Sequence, residues 1–323
     1  MTTDRVHRRP PFDPELEAVL DAVGEQLPST LTPEMIPVMR EADVTAPIDE
    51  VLSGRSVTHR ELTLPGYQGG DLVASVFART DHTTAGPGIF HTHGGGMIIG
   101  DRFTGIEVML DWVERFDAVC VSLEYRLAPE FPDPYPVEDC YAGLVWTADH
   151  ADELGIDPKQ LLIAGGSAGG GLAAGVALLA RDRQGPNLFA QCLIYPMIDD
   201  RNETISSHQI DGEGVWDRTS NFTGWDALLG SRRGTDDVSI YAAPARATDL
   251  SGLPPAYIDV GTAEVFRDED VAYASQIWND GGVAELHVWP GGFHGFDMMA
   301  PHTALSQAMV AARTAWLARI LGV

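Results

Sequence analysis

The sequence predicts an α/β fold in which a mainly parallel, twisted sheet of about eight strands carries helices on both faces. From residue 88 onward, short apolar runs alternate with longer segments of helical periodicity, which is typical of parallel sheets. Two glycine-rich segments directly follow predicted strands, at the sheet edge where the active sites of such folds gather. The length of 323 residues fits one such domain with an inserted segment better than two independent domains.

The N-terminal region predicts helices that are separate from the sheet. Asp13 is a favourable N-cap with Pro14 at the first helical position, and a second short helix opens at Pro33 and is interrupted by Pro37. We interpret residues 1–50 as the N-terminal part of a helical cap that rests on an apolar surface. The apolar residues of the first helix recur at helical spacing: Leu16, Val19, Leu20, Val23 and Leu27.

The remaining elements follow from the apolar pattern. A glycine-rich turn joins two strand-like runs, which predicts an antiparallel pair at a sheet edge, and the last strand is predicted to be an exposed edge that permits a homodimer. The predicted strands are residues 57–64, 72–79, 88–91, 118–124, 160–164, 188–195, 256–260 and 285–289. The predicted helices after the first strands are residues 103–115, 137–154, 168–183, 268–279 and 303–321.

One segment breaks this alternation. Residues 198–247 contain no clear strand pattern and carry scattered aromatic side chains, so they are interpreted as a cap insertion. The catalytic domain then comprises residues 51–197 and 248–323. Within the insertion, Trp216, Phe222 and Trp225 are candidates for lining a substrate pocket, and packing of the cap against the core is the equally weighted alternative.

Composition and charge exclude several classes of partner. Lys and Arg total 21 against 47 Asp and Glu, and the net charge of −26 argues against nucleic acid or an anionic membrane as a partner. No apolar run is long enough to span a membrane, and residues 1–14 lack the apolar region of a signal peptide, so we expect a cytoplasmic protein. The three cysteines, Cys120, Cys140 and Cys192, match no metal-binding spacing. Cys120 and Cys192 lie in apolar strands and are expected to be small buried residues.

A serine between glycines is the strongest indication of chemistry. Residues 161–170 (LLIAGGSAGG) form an apolar strand, a tight turn and the start of a helix, which is the pattern of a nucleophile elbow. Gly165 and Gly169 are needed where neighbouring chain crowds both sides of the turn, because a Cβ atom would clash there. Ser167 is therefore the candidate nucleophile.

A serine nucleophile requires a base and an acid that orients the base. His294 is the candidate base because it follows the last predicted strand in a glycine-rich loop, whereas His287, its nearest rival, lies inside that strand. Glu264 is the candidate acid because it lies just past the end of the preceding strand. Asp268, one helical turn later, is the main rival, and its alternative role is that of a carboxylate at a helix N-terminus.

The segment 89–96 (IFHTHGGG) predicts donors for a developing oxyanion. Consecutive glycines after a strand leave backbone N–H groups uncovered, so the amides of Gly94 and Gly95, with that of Ala168 after the nucleophile, are expected to form the oxyanion hole. His93 is expected to anchor this loop by hydrogen bonding rather than to transfer protons.

Together these motifs resemble the bacterial hormone-sensitive lipase family of esterases (family IV), which have an α/β-hydrolase fold. The matching segments, in the order of that family, are residues 93–96 (HGGG), 125–130 (YRLAPE), 137–140 (VEDC), 165–170 (GGSAGG) and 294–296 (HGF). The resemblance implies a cap built from the N-terminal segment and the insertion. It also implies hydrolysis of short- to medium-chain acyl esters through an acyl-enzyme intermediate, without metal or other cofactor.

The sequence departs from that family at two positions of the predicted site and in the additional His91. Gly166 stands where the family usually has an acidic residue, and Glu264-Val265-Phe266 stands where it usually has Asp-Pro-Leu. Glutamate serves as the acid in some α/β-hydrolases. These departures leave the expected chemistry intact and change its geometry.

Two other functions are compatible with parts of the sequence. His91 and His93 form a His-x-His pair after a strand, as in some metal hydrolases, although no second set of ligands follows later strands. Members of the wider family also include receptors that keep the serine but lack the histidine, and the presence of His294 argues against that alternative.

Overall fold

An eight-stranded sheet forms the centre of the computed structural model, which describes residues 8–23, 28–42 and 46–323. The strands are β1 (Val57–Pro65), β2 (Asp71–Arg79), β3 (Gly86–Thr92), β4 (Val119–Glu124), β5 (Ile156–Gly166), β6 (Ala190–Ile194), β7 (Ala256–Gly261) and β8 (Ala284–Trp289). Their order across the sheet is β1-β2-β4-β3-β5-β6-β7-β8. Strand β2 runs antiparallel to both of its neighbours, β1 and β4, and every other neighbouring pair is parallel. The predicted mainly parallel sheet with an antiparallel edge pair is therefore confirmed.

Helices surround the sheet and also occur in the N-terminal segment and in the insertion. In chain order they are α1 (Pro14–Val23), α2 (Ile36–Glu41), α3 (Ile48–Val51), α4 (Ile106–Phe116), α5 (Tyr135–Asp149), α6 (Ala151–Leu154), α7 (Ala168–Asp182), α8 (Ile205–Gln209), α9 (Arg218–Leu229), α10 (Arg267–Asn279), α11 (Phe296–Met299) and α12 (Ala304–Leu321). Short 3₁₀ helices occur at Pro33–Met35, Tyr67–Gly69, Gly230–Arg232 and Pro244–Arg246.

The sheet separates two apolar clusters, because successive side chains of a strand point to opposite faces. Phe90 and Ile163 pack with α5, α7 and α10 on one face, whereas Ile89 and Leu162 pack with α4 and α12 on the other. A strand that is buried on both faces has a nearly continuous apolar sequence. For this reason apolar and polar residues do not alternate in the central strands.

The register of the parallel strands brings their carboxyl ends to one edge of the sheet. Thr92 of β3 lies beside Gly165 of β5, and Gly261 of β7 lies beside Trp289 of β8. The loops that follow these strands therefore emerge together. They carry the glycine segment 94–96, Ser167, Glu264 and His294, which are widely separated along the chain.

Several local predictions are corrected by the structure. Pro37 does not interrupt a helix, because it lies in the first turn of α2, where the missing N–H has no intrahelical partner to lose. The predicted helix 137–154 is two helices, since His150 between α5 and α6 leaves helical geometry with φ −109° and ψ 18°. The strand predicted at 160–164 begins earlier, at Ile156, and the one predicted at 188–195 begins at Ala190.

The start of α1 is formed as predicted. Asp13 Oδ1 accepts a hydrogen bond from the backbone N–H of Glu15 at 2.9 Å, which satisfies a free donor of the first turn. Leu16 is buried beside Phe12, whose ring packs edge-on against Phe293 with 6.2 Å between the centroids. Leu27, the last apolar position of the predicted pattern, lies outside the described residues.

The N-terminal segment and the insertion bind each other directly. The backbone N–H of Leu31 donates to Ser220 Oγ at 2.8 Å, and Thr223 Oγ1 donates to the carbonyl of Leu31 at 2.8 Å. Thr30 Oγ1 donates to Asp217 Oδ2 at 2.6 Å, and this same aspartate caps α9. These contacts support our proposal that residues 1–50 and 198–247 act as one cap.

Candidate active site

Ser167 lies in a strained turn between β5 and α7. Its backbone has φ 58° and ψ −123°, a conformation that L-residues rarely adopt. A Cβ atom on Gly165 would lie 2.4 Å from the carbonyl oxygen of Gly169, and one on Gly169 would lie 2.0 Å from that of Thr92. Both glycines are therefore required by the close approach of backbone, as the sequence predicts.

The hydroxyl, imidazole and carboxylate of the predicted triad are in contact. His294 Nε2 lies 2.9 Å from Ser167 Oγ, and His294 Nδ1 lies 3.3 Å from Glu264 Oε1. All three residues are buried. With its proton on Nδ1, the imidazole donates to Glu264 and leaves Nε2 free to accept the proton of the serine hydroxyl.

Glu264, and not Asp268, faces the imidazole. The second carboxylate oxygen of Glu264 accepts the backbone N–H of Gly261 at 3.1 Å, which holds the side chain in the turn after β7. Asp268 instead accepts hydrogen bonds from the backbone N–H of Ser206 and from Arg267 Nε, both at 2.8 Å. Burial raises the pKa of Asp268, but the hydrogen bonds and the charge of Arg267 outweigh it, so the net shift is downward.

The glycine loop lies beside the nucleophile. A Cβ atom on Gly94 would lie 3.0 Å from the carbonyl oxygen of Gly166 and 3.5 Å from Ser167 Cβ. Gly95 has φ 111°, and its carbonyl accepts hydrogen bonds from the N–H groups of Ile98 and Ile99 at 3.0 and 2.9 Å, which fixes the loop. Among the described residues, no acceptor takes the amide protons of Gly94, Gly95 or Ala168. These three amides are available to an oxyanion.

Comparison with known proteins identifies the family. A profile of the family described as having an alpha/beta hydrolase fold matches residues 89–298, which is more than half of the chain. The chain belongs to the α/β-hydrolase family.

Several relatives of this α/β-hydrolase are esterases. Carboxylesterase NlhH of Mycobacterium tuberculosis is 32% identical over 301 residues, covering 91% of this chain and 91% of NlhH. Esterase LipI of the same organism is 32% identical over 221 residues, and the match spans 65% of each chain. The solved structure of a bacterial heroin esterase superposes with a TM-score of 0.87 at 36% identity, covering 96% of this chain and 98% of that one. The prediction of a carboxylic ester hydrolase related to hormone-sensitive lipase is thereby confirmed.

Two aromatic rings enclose the imidazole of this α/β-hydrolase. The ring of Tyr195 meets His294 edge-on with 4.8 Å between centroids, and Phe266 does so at 5.0 Å. Tyr195 Oη donates to Asp297 Oδ1 at 3.0 Å. Asp297 in turn accepts from the guanidinium of Arg313, so the wall of the imidazole is connected to the last helix.

Arg313 is the centre of a fully buried ionic network that the sequence analysis missed. Its side chain has 0% exposure and binds Asp259 with Nε–Oδ2 at 2.7 Å, in addition to Asp297. Burial raises the pKa of Asp259 to about 6, although the positive charge of Arg313 opposes the shift. A charged residue within the apolar strand β7 is the signal in the sequence that indicates such a network.

We expect Arg313→Met to lower the free energy of unfolding by about 3 to 5 kcal/mol, because it leaves two buried carboxyl groups without their cation. Unfolding in urea measures the effect. The loss is expected to be smaller below about pH 5 than at neutral pH, since the carboxyl group of Asp259, whose pKa burial raises to about 6, destabilises the fold only as it ionises. Arg319→Met is the matched control on α12, because Arg319 is 58% exposed and its pair with Glu285 contributes at most about 1 kcal/mol. Equal losses of unfolding free energy in Arg313→Met and Arg319→Met would contradict a stabilising role of the buried network.

His91 and His93 are each bound to the surrounding structure. His91 Nδ1 lies 2.8 Å from Ser122 Oγ, and burial lowers the pKa of His91 to about 3. His93 stacks on Tyr125 at 4.1 Å, and its Nδ1 lies 2.8 Å from the carbonyl oxygen of Gly94, so the predicted anchoring of the loop is confirmed. Within residues 8–23, 28–42 and 46–323, no three His, Cys, Asp or Glu side chains are grouped to hold a metal.

The three aromatic residues of the insertion lie in different surroundings. Trp216 packs on the glycine loop, since a Cβ atom on Gly96 would lie 2.3 Å from its indole. Trp225 is fully buried in the apolar core. Phe222 is half-buried beneath the guanidinium groups of two arginines, Arg218 and Arg233. Of the three, Trp216 is thus the one placed against the candidate oxyanion hole.

The two departures from the family are accommodated locally. A Cβ atom on Gly166 would lie 3.5 Å from Tyr195 Cε2, which is an ordinary contact, so glycine is not sterically required there. The longer side chain of Glu264 is accommodated by the turn after β7, where the N–H of Gly261 binds one carboxylate oxygen and the other faces His294.

Proposed function

We propose that this α/β-hydrolase is a serine carboxylesterase that hydrolyses short- to medium-chain acyl esters through an acyl-enzyme intermediate. The observation that carries the proposal is the imidazole of His294, which lies 2.9 Å from Ser167 Oγ on one side and 3.3 Å from Glu264 on the other. A serine hydroxyl is a weak nucleophile by itself, and an adjacent oriented base is the usual means of activating it.

Acylation uses the contacts of the triad in sequence. His294 Nε2 accepts the proton of Ser167 as Oγ attacks the ester carbonyl carbon, and Glu264 stabilises the imidazolium that forms. The amides of Gly94, Gly95 and Ala168 donate to the carbonyl oxygen as it becomes negatively charged. The imidazolium then protonates the departing alkoxide, and the acyl group stays on Ser167.

Deacylation repeats these steps with water. His294 accepts a proton from the attacking water, the same amides stabilise the second tetrahedral intermediate, and the carboxylic acid leaves as Ser167 is reprotonated. The burial of the three side chains supports this mechanism, because fixed donors act more strongly in a site that excludes water.

A series of p-nitrophenyl esters tests the proposal. We expect the wild-type protein to hydrolyse the acetate, butyrate and hexanoate esters with much higher kcat/KM than the palmitate ester. Ser167→Ala is the control: it should hydrolyse these esters about a million-fold more slowly, and it should not react covalently with an organophosphate. If no ester is hydrolysed and Ser167 is not labelled, the proposed esterase activity is contradicted and a binding protein is favoured. Turnover of palmitate above that of butyrate contradicts the chain-length assignment alone.

The assembly and compartment of the protein are also proposals. Strand β8 forms an edge of the sheet, and Val288 on this strand and the adjacent Val283 are exposed apolar residues, which supports a homodimer formed at this edge. The three cysteines are buried free thiols, which supports a reducing compartment such as the cytoplasm. Among the described helices, none combines the length and the apolar character needed to cross a membrane.

A further inference from the structure

One arginine of the N-terminal segment reaches the loop that carries the candidate oxyanion hole. Arg40 lies in the last turn of α2, and Ile36 at the start of this helix is buried in the same apolar cluster as Ile98. The guanidinium Nε of Arg40 donates to the carbonyl oxygen of Ile98 at 2.7 Å. Arg40 therefore binds the chain two residues after the glycine segment 94–96.

The same guanidinium binds a second segment beside the glycine loop. Its Nη2 donates to the carbonyl oxygen of Ala128 at 2.6 Å, and its Nη1 and Nη2 pair with the carboxylate of Glu130 at 2.9 and 3.0 Å. The N–H of Ala128 in turn donates to the carbonyl of Met97 at 2.9 Å, so the two segments are also joined to each other. The pair with Glu130 contributes little to stability, because the side chain of Glu130 is 57% exposed.

The two carbonyl groups are the more important partners of Arg40. Ile98 and Ala128 are both fully buried, so their carbonyl oxygens depend on donors from the protein. A guanidinium presents several N–H groups in a rigid plane and can serve both carbonyls at once. Its loss leaves two buried acceptors without their charged donor, which is costly, and relief of that cost requires the backbone at residues 97–99 to move.

A shift of this backbone reaches the candidate oxyanion donors through one carbonyl group. The amides of Ile98 and Ile99 donate to the carbonyl of Gly95 at 3.0 and 2.9 Å. The contact is tight, since a Cβ atom on Gly95 would lie 2.1 Å from the carbonyl oxygen of Ile99. The positions of the Gly94 and Gly95 amides therefore depend on the position of Ile98.

We propose that Arg40 is a positioning residue for the oxyanion hole, which it holds in place through Ile98 and Gly95. This inference rests on the proposed function, since it concerns the tetrahedral intermediates of ester hydrolysis. Arg40 acts through backbone contacts and is not itself a catalytic residue. Because one hole serves both acylation and deacylation, a displaced hole slows both steps and leaves binding of the ester almost unchanged.

Steady-state kinetics of Arg40→Met with p-nitrophenyl butyrate test the proposal. Methionine retains an unbranched side chain but supplies no donor to the two carbonyls. We expect kcat to fall by about 10- to 100-fold, since a displacement of about 1 Å in a catalytic group has an effect of this size. The value of KM should stay within about threefold of that of the wild type, because the contact acts on the transition state.

A trifluoromethyl ketone measures the oxyanion hole directly. Ser167 Oγ adds to the ketone carbon, the electron pair of the broken carbonyl π bond becomes the oxyanion, and His294 takes the serine proton. The oxyanion of this hemiketal occupies the hole, as the tetrahedral intermediate does. We therefore expect the affinity of Arg40→Met for the ketone to fall by about the same factor as kcat, which simple loosening of the cap would not cause.

Two further variants serve as controls. Arg55 has a similar exposure, 21% against 28% for Arg40, and pairs with two carboxylates of α4 instead, so Arg55→Met should keep the kcat and the ketone affinity of the wild type. Arg40→Lys retains a charged donor without the planar fork, and its kcat should lie between those of the wild type and Arg40→Met. If Arg40→Met does not fold, as judged by thermal unfolding, a kcat of Arg40→Lys below that of the wild type is the expected result.

The inference is overturned if the folded Arg40→Met variant, or Arg40→Lys in its place, has the kcat of the wild type. A higher KM at unchanged kcat overturns it too, because Arg40 would then only attach the cap. So does a lower kcat without weaker binding of the ketone, or an equal loss in Arg55→Met. If the wild type neither hydrolyses the ester nor binds the ketone, the proposed function itself fails, and this inference fails with it.

Discussion

Ser167→Ala is expected to lower kcat for ester hydrolysis by about a million-fold, and His294→Ala by a similar factor. Without the hydroxyl no acyl-enzyme forms, and without the imidazole no group at 2.9 Å accepts the proton of the nucleophile. The residual rate should then come from the oxyanion hole and from binding of the ester. Steady-state rates with a p-nitrophenyl ester, together with organophosphate labelling, measure both effects.

The double variant Ser167→Ala/His294→Ala provides the sharper test of this pair. Residues that act as one unit show little further loss when both are removed, so its kcat should be close to that of either single variant. If the fold-loss of kcat in the double variant were instead the product of the two single losses, the serine and the histidine would act independently. Thermal unfolding of each variant checks that the fold is retained.

Glu264→Gln is expected to lower kcat by about 10⁴-fold. An amide in place of the carboxylate no longer stabilises the imidazolium. Its NH₂ group donates a hydrogen bond to Nδ1, which places the proton of the neutral ring on Nε2 and prevents Nε2 from acting as the base. Asp268→Asn should have a much smaller effect, because Asp268 binds Ser206 and Arg267 instead of the imidazole. The ratio of kcat values of these two variants, measured with one ester, tests the assignment.

If Asp268→Asn lowered kcat more than Glu264→Gln, Asp268 and not Glu264 would be the acid of the triad. Glu264→Asp provides a matched control, since it retains the charge but shortens the side chain that spans from the N–H of Gly261 to His294. We expect its kcat to lie between those of the wild type and Glu264→Gln.

Much of the site could be predicted from short sequence motifs, because the steric requirements of its turns involve only a few neighbouring residues. The turn at Ser167 requires small residues on both sides, and steric exclusion of a Cβ atom at Gly165 and Gly169 makes that requirement visible as a motif. The glycines after β3 are visible for the same reason. Pro37 shows the limit of such reasoning, since a proline stops a helix in its interior and is favourable in its first turn, and the sequence did not locate that turn.

Contacts between distant segments could not be predicted in the same way. Tyr195, Asp297 and Arg313 carry no motif, yet Tyr195 packs against the imidazole and the other two connect it to α12. Such arrangements depend on shape complementarity between elements, which the periodicity of a single element does not describe.

The sequence by itself determined the α/β class, the order of its strands along the chain and the identity of the serine turn, because hydrophobic period and glycine sterics act over a few residues. Only the tertiary structure decided that the side chain of Glu264 faces His294, since both it and Asp268 follow the same strand. That choice depends on the direction in which each side chain leaves the turn after β7, and the backbone N–H of Gly261 and the guanidinium of Arg267 select that direction.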